Sequence, residues 1–209
     1  MKKFLLLSMM LLIVMGLVAG VTVARPADRS DNPNATRHTR EVFYTQDFES
    51  GADGWIHWDG AVSPNQWHVY AGDGSPTAPC WWMGEDPGIG GYYDHQYLVL
   101  DTSVIPISTG NSTLTFAMKH GLEEPGASGE YDGWDSFNIR ISTNSGVTYS
   151  VIPTTALSVP YDFANSYAFG SEHGEGLGIP GWGGQRPWTN ISVDLSSYLV
   201  DGAANVKIR

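Results

Sequence analysis

Residues 130–152 read EYDGWDSFNIRISTNSGVTYSVI, an acidic segment followed by an alternation of apolar and polar residues. Residues 137–142 alternate between apolar and polar side chains, which is the period of two of a half-buried β-strand. The small residues at 143–146 predict a tight turn, because Gly146 tolerates a positive φ. Apolar alternation then resumes at Val147, so we predict an antiparallel hairpin.

Three carboxylates stand immediately before this hairpin, at Glu130, Asp132 and Asp135. Gly129 and Gly133 let the backbone fold closely around whatever these oxygens face. We therefore expect any binding or chemistry to begin in this acidic loop.

The rest of the chain predicts more short strands, separated by clusters of Gly, Pro, Asn and Asp. After the N-terminal segment, no window of eleven or more residues keeps a helical period. We therefore predict an all-β fold, an antiparallel β-sandwich whose long loops at 122–134 and 160–188 lie together. The other predicted strands span 42–49, 55–58, 66–70, 80–83, 96–100, 112–119, 190–195 and 205–209.

The chain divides into three segments by composition. Lys2 and Lys3 precede an apolar run that ends in small residues, which predicts a signal peptide at 1–24 and a secreted or cell-surface protein. Residues 25–41 are polar and predict a disordered leader. The folded domain is predicted at 42–209. Because alternation continues up to Arg209, we expect one or more C-terminal strands to be missing.

The charge of the chain limits the class of partner that it can bind. The 22 acidic residues less Asp28 and Asp31 leave 20 from Glu41 onward, against five lysines and arginines. This excess of negative charge argues against nucleic acid and anionic membranes as partners. We predict no membrane span after signal cleavage.

Cys80 is the chain's single cysteine and is predicted to be a small buried side chain, since an internal disulfide needs two.

A series of short motifs resembles a known family. The motifs, in order, are FESG at 48–51, GW at 54–55, WHV at 67–69, YLVLD at 97–101, STLTF at 112–116, YDGWD at 131–135, NIRIS at 138–142 and VDLS at 193–196. This series resembles the MAM-like, concanavalin-like jelly-roll domains of secreted bacterial proteins. Such domains occur beside immune-inhibitor-A-type metallopeptidases and in surface proteins with sorting or anchor modules. The resemblance implies a jelly roll.

The resemblance also implies a structural calcium ion. MAM-like domains hold a cation near the first strand and a loop like 130–135, which in this chain corresponds to Asp47, Glu49, Asp132 and Asp135. Calcium takes six to eight oxygen ligands, and acidic, glycine-rich loops can supply them. Solvated surface carboxylates are the alternative interpretation of the same residues.

Two further interpretations concern sugars. Glu130-x-Asp132-x-x-Asp135 is similar to the catalytic strand of jelly-roll glucanases, but its last position is Asp and Gly133 interrupts it. Aromatic side chains in or beside the loops could instead bind a sugar without cleaving it. The candidates for this role are Trp134, Trp182, Trp188 and Tyr93, each of which could equally pack in the core.

We therefore predict a secreted, non-catalytic, monomeric module that binds glycans or extracellular proteins and is stabilised by calcium. The alternatives are an accessory domain of a secreted zinc metallopeptidase and a degenerate glycoside hydrolase. The catalytic His-Glu-x-x-His motif of such a peptidase is absent from these 209 residues. The histidines show no metal-ligand spacing, and we assign them no role.

Overall fold

Antiparallel strands make up most of the regular secondary structure in the described residues. A computed structural model describes residues 11–14, 44–49, 51–52, 54–59, 66–85 and 91–209. Within them the strands are β1 Leu11–Val14, β2 Ile56–Asp59, β3 Trp67–Tyr70, β4 Cys80–Met83, β5 Leu98–Asp101, β6 Ile105–Ser108, β7 Thr113–Gly121, β8 Arg140–Ser142, β9 Ser150–Val151, β10 Gln185–Asp194 and β11 Ala203–Ile208.

The described strands form several small sheets. One has five strands in the order β10-β7-β1-β4-β3, another has four in the order β6-β11-β8-β9, and β2 pairs with β5. Every strand pairing within these sheets is antiparallel. The prediction of an antiparallel all-β fold is therefore confirmed.

The longest pairing joins β7 and β10. It runs from Gln185 opposite Gly121 to Asp194 opposite Thr113, with a register shift between Arg186 and Thr189. Pro187 lies inside the shift, where the missing N–H of proline does least harm to the ladder.

Helical structure is confined to short turns in the described residues. Thr154–Ala156 and Ser196–Tyr198 are single 3₁₀ turns, and Ala168–Glu172 is one π-helical turn. In the same residues, none of the helices has the length and hydropathy that crossing a membrane would require.

The main core joins the two larger sheets. Its buried side chains come from β6, β8 and β11 on one side and from β7 and β10 on the other. A second cluster packs Phe48, Trp55 and Trp67 with Trp81 and Leu100. Burial of large aromatic and branched side chains is the principal source of stability in a fold of this kind. The main cluster is Ile105, Ile107, Phe116, Met118, Ile139, Ile141, Ile152, Leu157, Tyr161, Trp182, Ile191, Val193, Leu195, Val206 and Ile208.

The predicted central hairpin is present, but it is shorter than its alternation suggests. β8 and β9 pair with Arg140 opposite Val151 and Ile141 opposite Ser150. Val147, which we expected to resume the strand, is 80% exposed and lies before β9. Asn144 accounts for the difference, because its side chain accepts the amide of Thr148 at 3.0 Å and extends the turn.

Two other strand predictions need correction. The described residues 44–49 do not form a strand, since Phe48 turns the backbone with φ 63° and buries its ring edge-on against Trp55. Residues 42–43 of that predicted strand lie outside the described residues. Conversely, the sequence analysis missed β6, because Pro106 argues against a strand. Pro106 is tolerated because β6 is an edge strand.

The strand β1 lies inside the predicted signal peptide 1–24 and occupies a central position in the five-stranded sheet. Its sequence, LLIV, combines strong β-formers with apolar side chains on consecutive positions, which suits a fully interior strand. The predicted leader at 25–41 lies outside the described residues.

Candidate functional site

A cavity of about 140 Å³ lies where the sheets meet the two long loops. Its wall takes side chains from β3, β4, β5, β7, β8 and β11 and from the segments 135–139 and 168–173. The apolar part of the wall includes Trp55, Trp67, Met83, Leu98, Phe116, Leu122, Phe137 and Trp182, and the polar groups include Tyr92, Gln96, Tyr97, Asp135, Asn138, Arg140, His173 and Arg209.

Phe137 sets the position of the cavity between the two core clusters. Its backbone exchanges hydrogen bonds with Trp182, at 3.1 and 2.8 Å, which extends the line of β8 toward the cavity. Its ring lies 5.0 Å from the ring of Trp182 and 5.1 Å from that of His120. The alternation around β8 therefore places a large ring in the wall and the neighbouring polar side chains at the rim.

A carboxyl group forms one end of the cavity. The hydroxyl of Tyr92 donates a hydrogen bond to Asp135. Burial raises the pKa of Asp135, although the Tyr92 hydrogen bond lowers it in part, and the charge of Asp94 raises it further. Burial also raises the pKa of Glu123, with the charges of Asp135 and Asp94 acting in the same direction. Negative charge is therefore concentrated at this end.

Arg140 also lines the cavity, and its charge is already paired. Its guanidinium contacts both carboxylate oxygens of Glu175, at 2.9 and 3.1 Å, and lies 4.9 Å from the ring centre of Phe169. Tyr97 donates to the same carboxylate at 2.8 Å. Burial raises the pKa of Tyr97 to about 12, so its hydroxyl remains a donor at neutral pH.

The second arginine of the lining is paired in the same way. Arg209 makes two hydrogen bonds to Asp101, at 2.8 and 3.0 Å. Its guanidinium also lies 3.8 Å from the ring centre of Tyr149. Planar, two-point pairing of this kind fixes both partners and leaves little net charge at the cavity.

His173 contributes an unsatisfied polar atom to the lining. Its Nε2 is buried and has no hydrogen-bond partner among the residues that the structure describes. Its ring lies edge-on to Tyr97, at 4.9 Å between centres. A buried polar atom without a partner needs an explanation, and a bound hydroxyl or a water molecule would supply one.

These groups together suit a neutral ligand. The apolar rings offer a flat surface, while Asp135, Asn138, Tyr97 and His173 offer donors and acceptors around it. Because Arg140 and Arg209 are each paired with a carboxylate, the cavity does not favour an anionic ligand. A compact molecule with an apolar face and several hydroxyl groups matches this arrangement.

The structure separates the predicted calcium ligands by role. Asp132 accepts the backbone amides of Ala164 and Asn165 at 3.2 and 2.7 Å and so fastens one long loop to the other. Asp47 accepts the amide of Glu49, and both residues are exposed.

Asp135 is the predicted calcium ligand that lines the cavity. Within the described residues, His, Cys, Asp and Glu side chains form no group of three or more that could hold a metal ion.

The predicted aromatic ligand contacts also take different places. Trp182 is fully buried and borders the cavity, Trp188 is half-buried and bonds Asp73 at 3.2 Å, and Tyr93 is 48% exposed. Trp134 is half-buried and packs against Tyr167, with ring centres 5.3 Å apart. Gly126 permits this packing, since a Cβ at that position would overlap the indole.

Several residues of the cavity were missed by sequence reasoning. Tyr97 lies just before β5, whereas His173 and the Arg140 partner Glu175 lie in the loop 160–188, so no spacing pattern links Tyr97 to them. Tyr92 carries the one available signal, because in an adjacent aromatic pair such as Tyr92 and Tyr93 the two side chains point in opposite directions. Tyr92 is the member that lines the cavity, whereas Tyr93 faces outward and donates to Glu85 at 3.0 Å.

No protein-family model, curated protein or solved structure matches this chain, so the cavity stands on its own geometry.

Proposed function

We propose that this chain is a secreted, non-catalytic binding module that takes one ring of a neutral glycan in the cavity between its sheets. The observation that carries the proposal is the cavity itself, an apolar floor with hydrogen-bonding groups and paired charges around it. Sugar rings present an apolar face and a rim of hydroxyls, each of which both donates and accepts.

The size of the cavity limits what part of a glycan can enter. A cavity of about 140 Å³ compares with the roughly 150 Å³ that accommodates a benzene-sized molecule. The cavity therefore encloses at most one six-membered ring without its substituents, and the hydroxyl groups and the rest of the glycan extend out of it.

We also propose that the fold is a jelly-roll β-sandwich, in keeping with the resemblance. The main hydrophobic cluster supports this, because it joins residues of the four-stranded and five-stranded sheets as the core of a sandwich does.

The non-catalytic part of the proposal rests on the positions of three carboxylates. Glu130 is exposed, Asp132 holds backbone amides, and Asp135 bonds Tyr92 in the cavity wall. Retaining glycosidases need two carboxyl groups about 5–5.5 Å apart across the scissile bond. The roles of Asp132 and Asp135 in the loop and in the wall do not suggest such a pair.

The ligand site can be tested with two tyrosine variants. We expect Tyr97→Ala to weaken the binding of a neutral methyl glycoside at least about tenfold, because the ring and its hydroxyl both leave the cavity. The matched control is Tyr93→Ala, which removes a ring outside the lining and should leave affinity unchanged. Isothermal titration over a panel of neutral glycosides measures both, with circular dichroism to check folding.

Two outcomes would contradict the proposal. Loss of binding in Tyr93→Ala but not in Tyr97→Ala would place the ligand on the outer surface, where Trp134 and Trp188 also lie. Hydrolysis of the glycoside during the titration would show that the module is catalytic.

We keep calcium stabilisation as a proposal that rests on the resemblance and the acidic composition. Thermal unfolding with calcium and then with excess chelator should show the melting temperature falling by several degrees in chelator. A site a hundredfold tighter than the calcium concentration stabilises by about 2.7 kcal/mol. In Asp132→Asn the difference in melting temperature between calcium and chelator should be smaller. An identical melting curve with calcium and with chelator in the unaltered chain would contradict calcium stabilisation.

A further inference from the structure

The strand β1 fills a gap in the middle of the five-stranded sheet. It pairs with β4 through Leu12 opposite Trp82 and with β7 through Leu12 opposite Lys119. The four residues of β1 belong to the segment predicted to be cleaved on export. Cleavage would divide the sheet into a β3–β4 pair and a β7–β10 pair, with a gap one strand wide between them.

The gap is lined by the backbone amides and carbonyls of β4 and β7 that pair with β1. Neighbouring strands lie about 4.8 Å apart, so β4 and β7 stand roughly 10 Å from each other across β1. Each of them would lose a ladder of backbone hydrogen bonds, and unpaired buried amides and carbonyls are strongly unfavourable. All four residues of β4 are buried, as are Ala117 and Met118 of β7.

Contacts outside the gap hold its two sides in place. Asp73, in the connection between β3 and β4, accepts a hydrogen bond from Lys119 of β7 at 2.9 Å and another from Trp188 of β10 at 3.2 Å. Trp188 also packs against the cluster of Cys80, Trp82 and Ala117, which spans the gap. The two halves of the sheet are therefore joined independently of β1.

The strand beside the gap limits what chemistry the gap accepts. All four residues of β4 are buried, and the sequence of β1 is LLIV, so an alternating strand with polar positions would not fit. Within the described part of the chain, a second copy has no strand to lend, since its own comparable runs, Cys80–Met83 and Leu98–Asp101, are already paired.

We propose that, after the leader is removed, the gap between β4 and β7 accepts an apolar β-strand from a partner protein, antiparallel to both neighbours. This proposal rests on the proposed secretion of the chain and adds a protein-binding site beside the cavity, to whose wall β4 contributes Met83 and β7 contributes Phe116. Strand insertion gives affinity through main-chain hydrogen bonds and specificity through side-chain pockets.

The reactivity of Cys80, on β4, can report whether the gap is filled. Its side chain is fully buried, and burial, with the charge of Asp73, raises its pKa to about 12. Thiolate reactivity toward iodoacetamide is therefore very low while the gap is filled. We test the full 209-residue chain, produced without export, as the Leu12→Pro variant with Leu12→Ile as matched control, because proline removes a ladder hydrogen bond and isoleucine does not.

We expect alkylation of Cys80 to be at least about tenfold faster in Leu12→Pro than in Leu12→Ile. A synthetic peptide of Leu-Leu-Ile-Val flanked by lysines should slow it again and raise the melting temperature of Leu12→Pro, whereas the same peptide with proline for isoleucine should do neither. Equal alkylation rates in the two variants, or no effect of the peptide, would overturn the proposal. A dimer of Leu12→Pro that resists the peptide would also overturn it, in favour of a second copy.

A disulfide variant covers the case in which Leu12→Pro fails to fold. Ile13 lies opposite Met118, so Ile13→Cys with Met118→Cys, in a Cys80→Ala background, should crosslink within one chain and abolish peptide binding. Absence of the crosslink would contradict the position of β1. Mass spectrometry of the exported chain tests the leader separately, because an uncleaved leader would refute secretion processing and leave peptide binding by Leu12→Pro intact.

Discussion

Replacing Trp182 with alanine should lower the free energy of unfolding by about 3–5 kcal/mol, the largest effect that we expect from a single side chain. The indole is fully buried, with its ring 4.5 Å from that of Tyr161 and 5.0 Å from that of Phe137. Its Nε1 donates to the carbonyl of Pro160 at 2.9 Å. The deletion therefore leaves a cavity and an unpaired carbonyl together.

Chemical denaturation of Trp182→Ala beside Trp58→Ala measures this effect with a matched control. Trp58 is 39% exposed and stacks with Arg209 at 5.2 Å, so the same truncation should cost only about 1 kcal/mol there. Equal, small losses in both variants would show that the ring of Trp182 is not part of the core. Trp182→Phe should lie between them, since it keeps an aromatic ring and loses the hydrogen bond.

The prediction also decides how a binding experiment on Trp182 is interpreted. The sequence makes Trp182 a candidate ligand contact, and the structure places it in the core at the border of the cavity. Loss of glycan binding in Trp182→Ala would therefore report unfolding rather than a lost contact. Tyr97 is the better probe of the ligand site because its ring lines the cavity and belongs to none of the core clusters.

Alternation in the sequence was sufficient to predict most strands. β3, β4, β7 and β11 coincide with predicted runs within a few residues. In β11 the period of two records the burial of one face, whereas β4 is a short apolar run that is buried at all four positions. The backbone at Phe48 could not be predicted from alternation. Its positive φ follows from tertiary packing of the ring against Trp55, which no local pattern encodes.

The cavity could be predicted only in part. Asp135 stands in the acidic loop that the sequence marks, and it does face the cavity. Asp132 belongs to the same motif, YDGWD, but its carboxylate binds the backbone of the other long loop instead. Arg140 and Glu175 are separated by 35 residues and meet only because the long loops fold over β8. Long-range pairing of this kind leaves no spacing signature in a single sequence.

The second large effect that we expect is acid destabilisation through His120, on β7. The side chain is buried, its Nδ1 donates to the carbonyl of Gly184 at 3.0 Å, and its Nε2 accepts from Arg186 at 3.1 Å. Burial lowers the pKa of His120 from 6.5 to about 4. The charge of Arg186 acts in the same direction, against the opposing effects of the Gly184 hydrogen bond and of Asp162. The folded protein therefore holds this imidazole neutral.

The sign of the effect follows from proton uptake. Between pH 6.5 and 4 the unfolded chain protonates His120 and the folded chain does not, so the stability present above pH 6.5 is lost as the pH falls. The loss approaches roughly 3 kcal/mol at pH 4, since one unit of pKa corresponds to about 1.4 kcal/mol. Raised pKa values at Asp135 and Glu123 act in the opposite direction, so the total pH profile alone does not isolate His120.

Denaturation of His120→Gln at pH 7 and pH 4 isolates it. Glutamine keeps a hydrogen-bonding group and has no proton to gain, so the variant should start less stable at pH 7 and lose roughly 3 kcal/mol less than the unaltered chain on acidification. His57→Gln, at an exposed histidine of β2, should keep the slope of the unaltered chain. If His120→Gln instead loses as much stability as the unaltered chain, protonation of His120 at the Arg186 contact does not drive acid unfolding.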